Sequence, residues 1–253
     1  MKYKYSIIMP YYNRPGQLHN TLVSFDHHYR ARKDDFEVLL LVDRKESKEG
    51  IDEVLRIVNG YGRVNVIDID MHSPGLKFNM LASWASGEHL ILQSPEIFHM
   101  SDVLGAFDEE FKKNRGAYVV CACESSAFNS EYIKRFEDFE YKHHMWYQHT
   151  EHRNFKYHFC TAISREIYFR IGGFDKDYAK GIAYDDNDFI DCVECDGKLN
   201  VVVRDDALTV HQKHAREHTK LPDYKVLLDR NKKLYDKKRK QREKANAKSI
   251  MCP

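Results

Sequence analysis

Residues 36–43 have the sequence Phe-Glu-Val-Leu-Leu-Leu-Val-Asp, a short apolar run that ends in a carboxylate. A run of this length is too short for a typical helix and is characteristic of a strand buried on both faces. The other predicted strands of the first half are Tyr5–Pro10, Val64–Ile69, His89–Leu92 and Ala117–Ala122.

Segments with helical periodicity lie between these strands. Leu18, Leu22 and Phe25 recur at helical spacing after a turn at residues 13–16. Further helices are predicted at Ile51–Val58, at Phe78–Ala85 and from Ser101, as N-cap, to about Asn114. Strands that alternate with helices predict an α/β fold, with a mostly parallel sheet covered by helices on both faces.

Ligands of such sheets bind beyond the carboxyl ends of the strands. The candidate sites are therefore the segments that follow Pro10, Val42, Leu92 and Ala122. The sequence has neither a Walker phosphate loop nor a GxGxxG motif, which argues against the common mononucleotide and dinucleotide sites.

Composition limits the class of protein. Of the 253 residues, 42% are hydrophobic and 31% are charged, which suits one globular domain and excludes wholesale disorder. No apolar run approaches the roughly 18 residues of a membrane-spanning helix, and the first run is too short for a signal peptide. The six cysteines lack disulfide-framework spacing, and Cys192 and Cys195 form the only CxxC pair. We therefore expect free thiols and a cytoplasmic location.

Charge is balanced overall but not along the chain. The sequence has 40 basic and 39 acidic residues, yet the stretch from Lys225 to the end has 11 basic and 3 acidic residues. This stretch predicts a basic helix at 225–248 within a tail at 223–253. A solvated helix is one interpretation, and contact with DNA phosphates or anionic lipid is another.

Aromatic and histidine side chains crowd residues 131–152. Their spacing at 132, 136, 139, 143 and 146 predicts an amphipathic helix with one buried stripe. Aromatic residues also lie at other positions of this segment, where they can stack on a sugar or a base. Core packing alone is the alternative.

Three further segments carry candidate chemistry. Asp43 ends the second strand, where a carboxylate can accept hydrogen bonds from a nucleotide, and Glu96 and His99 follow the fourth strand as candidate ligands of a divalent metal. Exposed loop residues would have the same pattern. Three carboxylates lie within four residues at Asp185, Asp186 and Asp188, and such crowding raises the pKa of one member toward that of a general base. A solvated acidic helix N-terminus is the alternative.

Taken together, these segments resemble the family 2 glycosyltransferases, which have the GT-A fold. The opening Tyr-Ser-Ile-Ile-Met-Pro-Tyr-Tyr-Asn-Arg at 5–14 resembles the family's first strand and nucleotide loop, and Val42-Asp43 resembles its second-strand Asp. Residues 75–79 and 85–92 resemble the approach to its metal motif. Gly-Gly-Phe-Asp at 172–175 and Asp-Asp-Asn-Asp-Phe at 185–189 are similar to two later motifs. The resemblance covers residues 3 to 214.

The resemblance implies a GT-A domain at 1–222, with a nucleotide-sugar half at about 1–125, an acceptor half at about 126–222, and the basic helical tail beyond. It also implies a nucleotide-sugar site, formed by Pro10, Tyr11, Tyr12, Asn13, Arg14, Asp43, Lys77, Asn79 and Ser94.

The family's metal-binding Asp-x-Asp is replaced here by Ser94-Pro95-Glu96. Only the last acidic position remains, as Glu96. The resemblance implies that Glu96 and His211 bind Mn²⁺ or Mg²⁺, with His99 as a further candidate.

The implied reaction is a single in-line displacement that inverts the anomeric carbon. Asp186 takes the proton of the acceptor hydroxyl, while Asp185 and Asp188 shape the acceptor pocket. The acceptor is a saccharide or a hydroxymethylated base of phage-type DNA. The altered metal motif leaves an alternative, a catalytically silent nucleotide-sugar-binding or scaffold protein.

Overall fold

The computed structural model describes residues 2–43, 48–61, 64–69, 73–215, 219 and 221–251. The strands are β1 (Tyr3–Tyr11), β2 (Phe36–Asp43), β3 (Val64–Ile69), β4 (Gly87–Gln93), β5 (Ile97–His99), β6 (Ala117–Asn129), β7 (Tyr141–Gln148), β8 (Cys160–Ser164) and β9 (Asn200–His211). The α-helices are α1 (Pro15–Tyr29), α2 (Lys48–Val58), α3 (Pro74–Trp84), α4 (Val103–Lys113), α5 (Arg165–Arg170), α6 (Asp185–Cys195) and α7 (Tyr224–Met251).

The nine strands form one sheet in the order β3-β2-β1-β4-β8-β6-β9-β5, and β7 pairs with β6. Strands β3, β2, β1 and β4 are parallel neighbours, and β6 runs parallel to β9. Strands β5, β7 and β8 pair antiparallel with their neighbours. The predicted mostly parallel α/β sheet is therefore confirmed.

Both faces of the sheet are buried. Alternate residues of β1 point to opposite faces, so Ile7 packs with α1, α2 and α4 while Ile8 packs with α3, α5 and α6. This double burial explains why the strands are continuous apolar runs.

Three helix starts differ from the prediction, and α2 begins at Lys48 rather than Ile51. Helix α4 is capped by Asp102 rather than Ser101, because the Asp102 side chain accepts a hydrogen bond from the Gly105 N–H at 2.9 Å. Helix α3 begins at Pro74, four residues before the predicted start. The Ser73 side chain accepts from the Leu76 N–H, and Pro74 suits a first helical position.

The predicted helix at 131–152 is wrong. A 3₁₀ turn at Phe136–Asp138 leads into β7, which pairs antiparallel with the second half of β6 through several register shifts. Tyr, His and Trp favour a half-buried pleated surface as much as a helix. The long β6 supplies a pairing partner that residues 131–152 alone do not reveal.

Helix α7 contains the basic C-terminal stretch. Eight of its ten basic residues with described side chains are exposed, but Lys238 and Arg242 are partly buried. The helix packs against α6, where Arg242 pairs with Asp188, whereas Lys238 pairs with Asp175 and Asp177, which precede α6. No helix in the described ranges is both long and apolar enough to cross a membrane.

Candidate active site

Glu96 lies in the turn between β4 and β5, at the carboxyl end of the parallel sheet. The N–H of Gln212 donates to the backbone oxygen of Glu96 at 2.9 Å, and Ile97 pairs with His211 across β5 and β9. The end of β9 is thereby fixed against this turn. As a result, two histidines that are distant in sequence meet the Glu96 carboxylate.

The contacts of Glu96 are with cations and imidazoles. His211 Nε2 lies 3.5 Å and His214 Nε2 lies 3.4 Å from Glu96 Oε1, and Arg14 Nε lies 3.3 Å from Oε2. Burial favours the neutral form of Glu96, but His211, Arg14 and His214 outweigh burial and lower its pKa to about 2. Glu96 is therefore a carboxylate at physiological pH.

Glu96, His211 and His214 fit a divalent cation. Each offers a ligand atom, and these atoms lie within 4.8 Å of one another. Glu96 Oε2 is buried and makes no hydrogen bond, although the Arg14 Nε lies 3.3 Å away, so this oxygen can still accept a further ligand. Burial lowers the pKa of His214, which keeps the neutral imidazole that binds metals.

A second group of acids begins helix α6. Ala183 and Tyr184 precede it with φ of 60° and 66°, a left-handed conformation that is unfavourable for residues other than glycine. This turn leads directly into Asp185 and Asp186, the first two residues of α6. The side chain of Asp186 is 50% exposed and lies 3.3 Å from His158 Nε2.

Both of these carboxyls are poised near neutral pH. Burial, and then the charge of Asp186, raise the pKa of Asp185 to about 7. Desolvation raises the pKa of Asp186 to about 6, although half of its side chain is exposed. Burial lowers the pKa of His158 to about 4, so its ring is neutral at pH 7. Asp186 is therefore mostly ionised at pH 7 and can accept a proton.

Three consecutive residues connect the two groups. The Phe159 ring contacts His211 at 6.0 Å between centroids, and Tyr157 accepts a 2.6 Å hydrogen bond from Asn187, the residue after Asp186. His158, between them, contacts Asp186. The Glu96–His211–His214 triad and the Asp185–Asp186 pair are therefore within side-chain reach of the same tripeptide.

The sequence profile of Glycosyl transferase family 2 matches residues 6–172. This chain belongs to glycosyltransferase family 2. None of the curated proteins shows significant sequence similarity to it.

Solved glycosyltransferase structures share the fold. Mannosyltransferase PcManGT from Pyrobaculum calidifontis, in complex with GDP-Man and Mn²⁺, has a TM-score of 0.61 and 12% identity, covering 87% of this chain and 60% of that chain. S. aureus TarS 1-349 in complex with UDP-GlcNAc has a TM-score of 0.63 and 15% identity, covering 90% of this chain and 65% of that chain. This family 2 chain thus has the GT-A fold and spans less than two thirds of the length of these neighbours.

Most residues of the predicted nucleotide-sugar site lie at the carboxyl end of the parallel strands. Pro10 and Tyr11 end β1, and Tyr12, Asn13 and Arg14 form the loop that follows. Tyr11 pairs with Val42, which places the backbone of Asp43 beside this loop, although the Asp43 side chain lies outside the described part of the chain. Ser94 follows β4 at the same end of the sheet.

Asn79 and Lys77 lie elsewhere, on α3. Asn79 Oδ1 accepts hydrogen bonds from the Tyr168 hydroxyl at 2.7 Å and the Phe174 N–H at 2.9 Å, and its amide donates to the Phe174 oxygen. Asn79 thus holds the Gly-Gly-Phe turn. Lys77 is buried.

His99 does not join the Glu96 group. It is fully buried, with Nδ1 2.6 Å from the Tyr29 hydroxyl and Nε2 2.9 Å from Gln93 Oε1. Burial lowers its pKa to about 3. Since both ring nitrogens are used within the core, the structure places His99 in a packing role.

Asp188 is separated from Asp185 and Asp186 by its burial. Its carboxylate accepts hydrogen bonds from the Tyr178 hydroxyl at 3.0 Å and from Arg242 of α7 at 2.7 Å. These contacts direct the Asp188 side chain toward Tyr178 and helix α7.

Two residues of the site escaped the sequence reasoning. His214 follows His211 at a His-x-x-His spacing, which could have marked it as a second imidazole. His158 has no such signal, because its role depends on Phe78 and Phe174 packing edge-on against its ring and on α6 beyond it.

Proposed function

We propose that this family 2 protein is an inverting, metal-dependent glycosyltransferase that uses a nucleotide-diphosphate sugar. The observation that carries the proposal is the tripeptide at residues 157–159, which contacts both the Glu96–His211–His214 triad and the Asp186 region. A metal-binding group and a carboxylate of raised pKa, held this close, suit the two ends of a sugar transfer.

On the donor side, the loop at residues 10–14, together with Asp43 and Ser94, would hold the nucleotide. Glu96, His211 and His214 would hold the cation. Two imidazoles favour Mn²⁺ over Mg²⁺, because Mg²⁺ prefers oxygen ligands. When bound there, the cation would neutralise charge on the leaving diphosphate.

On the acceptor side, Asp186 is the general base. The acceptor oxygen bonds to the anomeric carbon, the bond from that carbon to the diphosphate oxygen breaks, and the acceptor proton passes to Asp186. The exposed half of the Asp186 side chain gives the acceptor access. Asp185 lies beside the base, and Asp188 positions α6 rather than contacting the acceptor.

The test is hydrolysis of UDP-glucose, UDP-GlcNAc and GDP-mannose with Mn²⁺ or with EDTA. We expect Mn²⁺-dependent release of nucleotide from at least one donor. Glu96→Gln should lower it at least tenfold, since a neutral amide is a weaker ligand, whereas the exposed Glu166→Gln should not change it. If wild-type protein binds a donor but never turns it over with any acceptor, the silent nucleotide-sugar-binding protein is the better description.

The division into a nucleotide-sugar half, an acceptor half and a tail remains a prediction, as does the cytoplasmic location.

A further inference from the structure

Four aromatic side chains form a row beside the candidate active site: Tyr147, Phe159, Tyr157 and Phe155. The ring centroids of Tyr147 and Phe159 are 5.0 Å apart, those of Phe159 and Tyr157 are 6.3 Å apart, and those of Tyr157 and Phe155 are 5.2 Å apart. We call these four residues the aromatic row.

The row runs from one catalytic group to the other. At one end, the Tyr147 ring lies 5.1 Å from His211 of the triad. Farther along, the Tyr157 hydroxyl accepts a hydrogen bond from Asn187, next to Asp186. A ligand lying along the row therefore has one end near the leaving group and another near the general base.

Tyr147 and Phe159 pack against the margin of the core, but none of the four rings is fully buried. Phe155 is 42% exposed, and Tyr147, Tyr157 and Phe159 are half-buried. The Arg153 guanidinium lies 4.8 Å from the Phe155 ring centroid and 5.7 Å from that of Tyr147. The aromatic surface thus carries hydrogen-bond donors beside it.

Resting on the proposed function, we propose that the aromatic row binds a sugar ring of a saccharide acceptor. The C–H face of a pyranose packs against aromatic rings, while the hydroxyls at its rim reach Arg153 and Asp186. A hydroxyl held in this way meets the base.

Charge favours a saccharide over DNA. Helix α6, beside the row, carries Asp185, Asp186, Asp191 and Glu194, all of which are at least partly exposed, whereas Asp188 is buried. A phosphate backbone would meet this acidic surface at the point where its base has to enter. Lys238 and Arg242 do not compensate, because both already pair with acids of the protein.

The experiment measures saturation transfer from the protein to a mixture of maltose, lactose, cellobiose and di-N-acetylchitobiose by NMR, with and without Mn²⁺ and UDP. We expect transfer to the ring protons of at least one disaccharide. Phe155→Leu, which keeps apolar area but removes the ring, should weaken that transfer at least fivefold.

Trp146→Leu is the matched control. Trp146 is the neighbour of Tyr147 on β7, but its ring packs with His143, His149 and His152 rather than with the rings of the row. We expect less than a twofold change in this variant.

Three results would overturn the proposal: no transfer to any of the four disaccharides under either condition, equal losses in both variants, or Phe155-dependent binding of a 5-hydroxymethylcytosine duplex in place of the sugars. Saturation transfer requires no donor turnover. Absence of donor hydrolysis would therefore count against the proposed function. Saccharide binding would still be decided by the saturation-transfer measurement.

Discussion

At the scale of single residues, the proposed chemistry depends on Asp186. Its desolvation raises the pKa to about 6, so the proton-accepting form is lost as the pH falls through this value. We therefore expect kcat/KM to fall below about pH 6 and to be level above it until another group titrates. Asp186→Asn should lower turnover at least roughly a hundredfold, the usual scale for a general base, with little change in donor affinity.

Steady-state kinetics between pH 5 and 8.5 check this expectation. Asn187→Ala is not a suitable control, because Asn187 donates to Tyr157. Asp236→Asn, on the exposed face of α7, is the better one and should leave the profile unchanged. Near-normal turnover of Asp186→Asn would transfer the role of base to Asp185.

At the scale of elements, α7 holds the acidic segment in place. Arg242 donates to the buried Asp188 at 2.7 Å and to Asp191 at 3.2 Å. Asn231 donates to the backbone oxygens of Tyr178 and Ala183. Ala183 belongs to the strained turn that leads into α6. Helix α7 therefore stabilises the start of α6, where Asp185 and Asp186 lie.

Arg242→Ala should lower the free energy of unfolding by about 2 kcal/mol, because Asp188 would stay buried without its cation. Arg239→Ala removes an exposed pair with Glu243 and should leave the free energy of unfolding nearly unchanged. Urea unfolding of the two variants checks this. Equal effects would mean that α7 contributes only general helix packing.

At the scale of the whole molecule, the metal site joins distant parts of the chain. Glu96 lies between β4 and β5, while His211 and His214 lie at the far end of β9. Binding to the folded state alone raises stability, by about 2.7 kcal/mol at a ligand concentration of 100 Kd. For a protein of this size that is a Tm increase of roughly 5 to 10 °C.

We expect Mn²⁺ to raise Tm over this range in wild-type protein and in Glu166→Gln, but not in Glu96→Gln. Differential scanning fluorimetry without nucleotide measures the effect. A full Mn²⁺ response in Glu96→Gln would remove Glu96 from the set of ligands.

Much of the fold was predictable because its first half encodes each element locally. The runs of β1, β2 and β4 are buried on both faces, so burial is written in the composition of each strand. The residues of β7 carry no such signal, because their conformation depends on pairing with β6. Local periodicity there indicated the wrong element.

The site was predictable where a motif carried it. Glu96 and His211, placed in one metal group by resemblance, do meet in the structure. His99 lies only three residues from Glu96, yet it points into the core, because β5 reverses the direction of successive side chains. The roles of His158 and Arg242 depend on contacts across 28 and 54 residues, which no local pattern contains.

The tripeptide at residues 157–159 has a practical consequence for protein engineering. Tyr157, His158 and Phe159 in turn contact Asn187, the proposed base Asp186 and the candidate metal ligand His211. A chimera joined within these residues would misalign all three contacts through a shift of a single position. Exchange of acceptor specificity with another enzyme should therefore keep this tripeptide intact and replace Tyr147 and Phe155, the two members of the aromatic row that lie outside it.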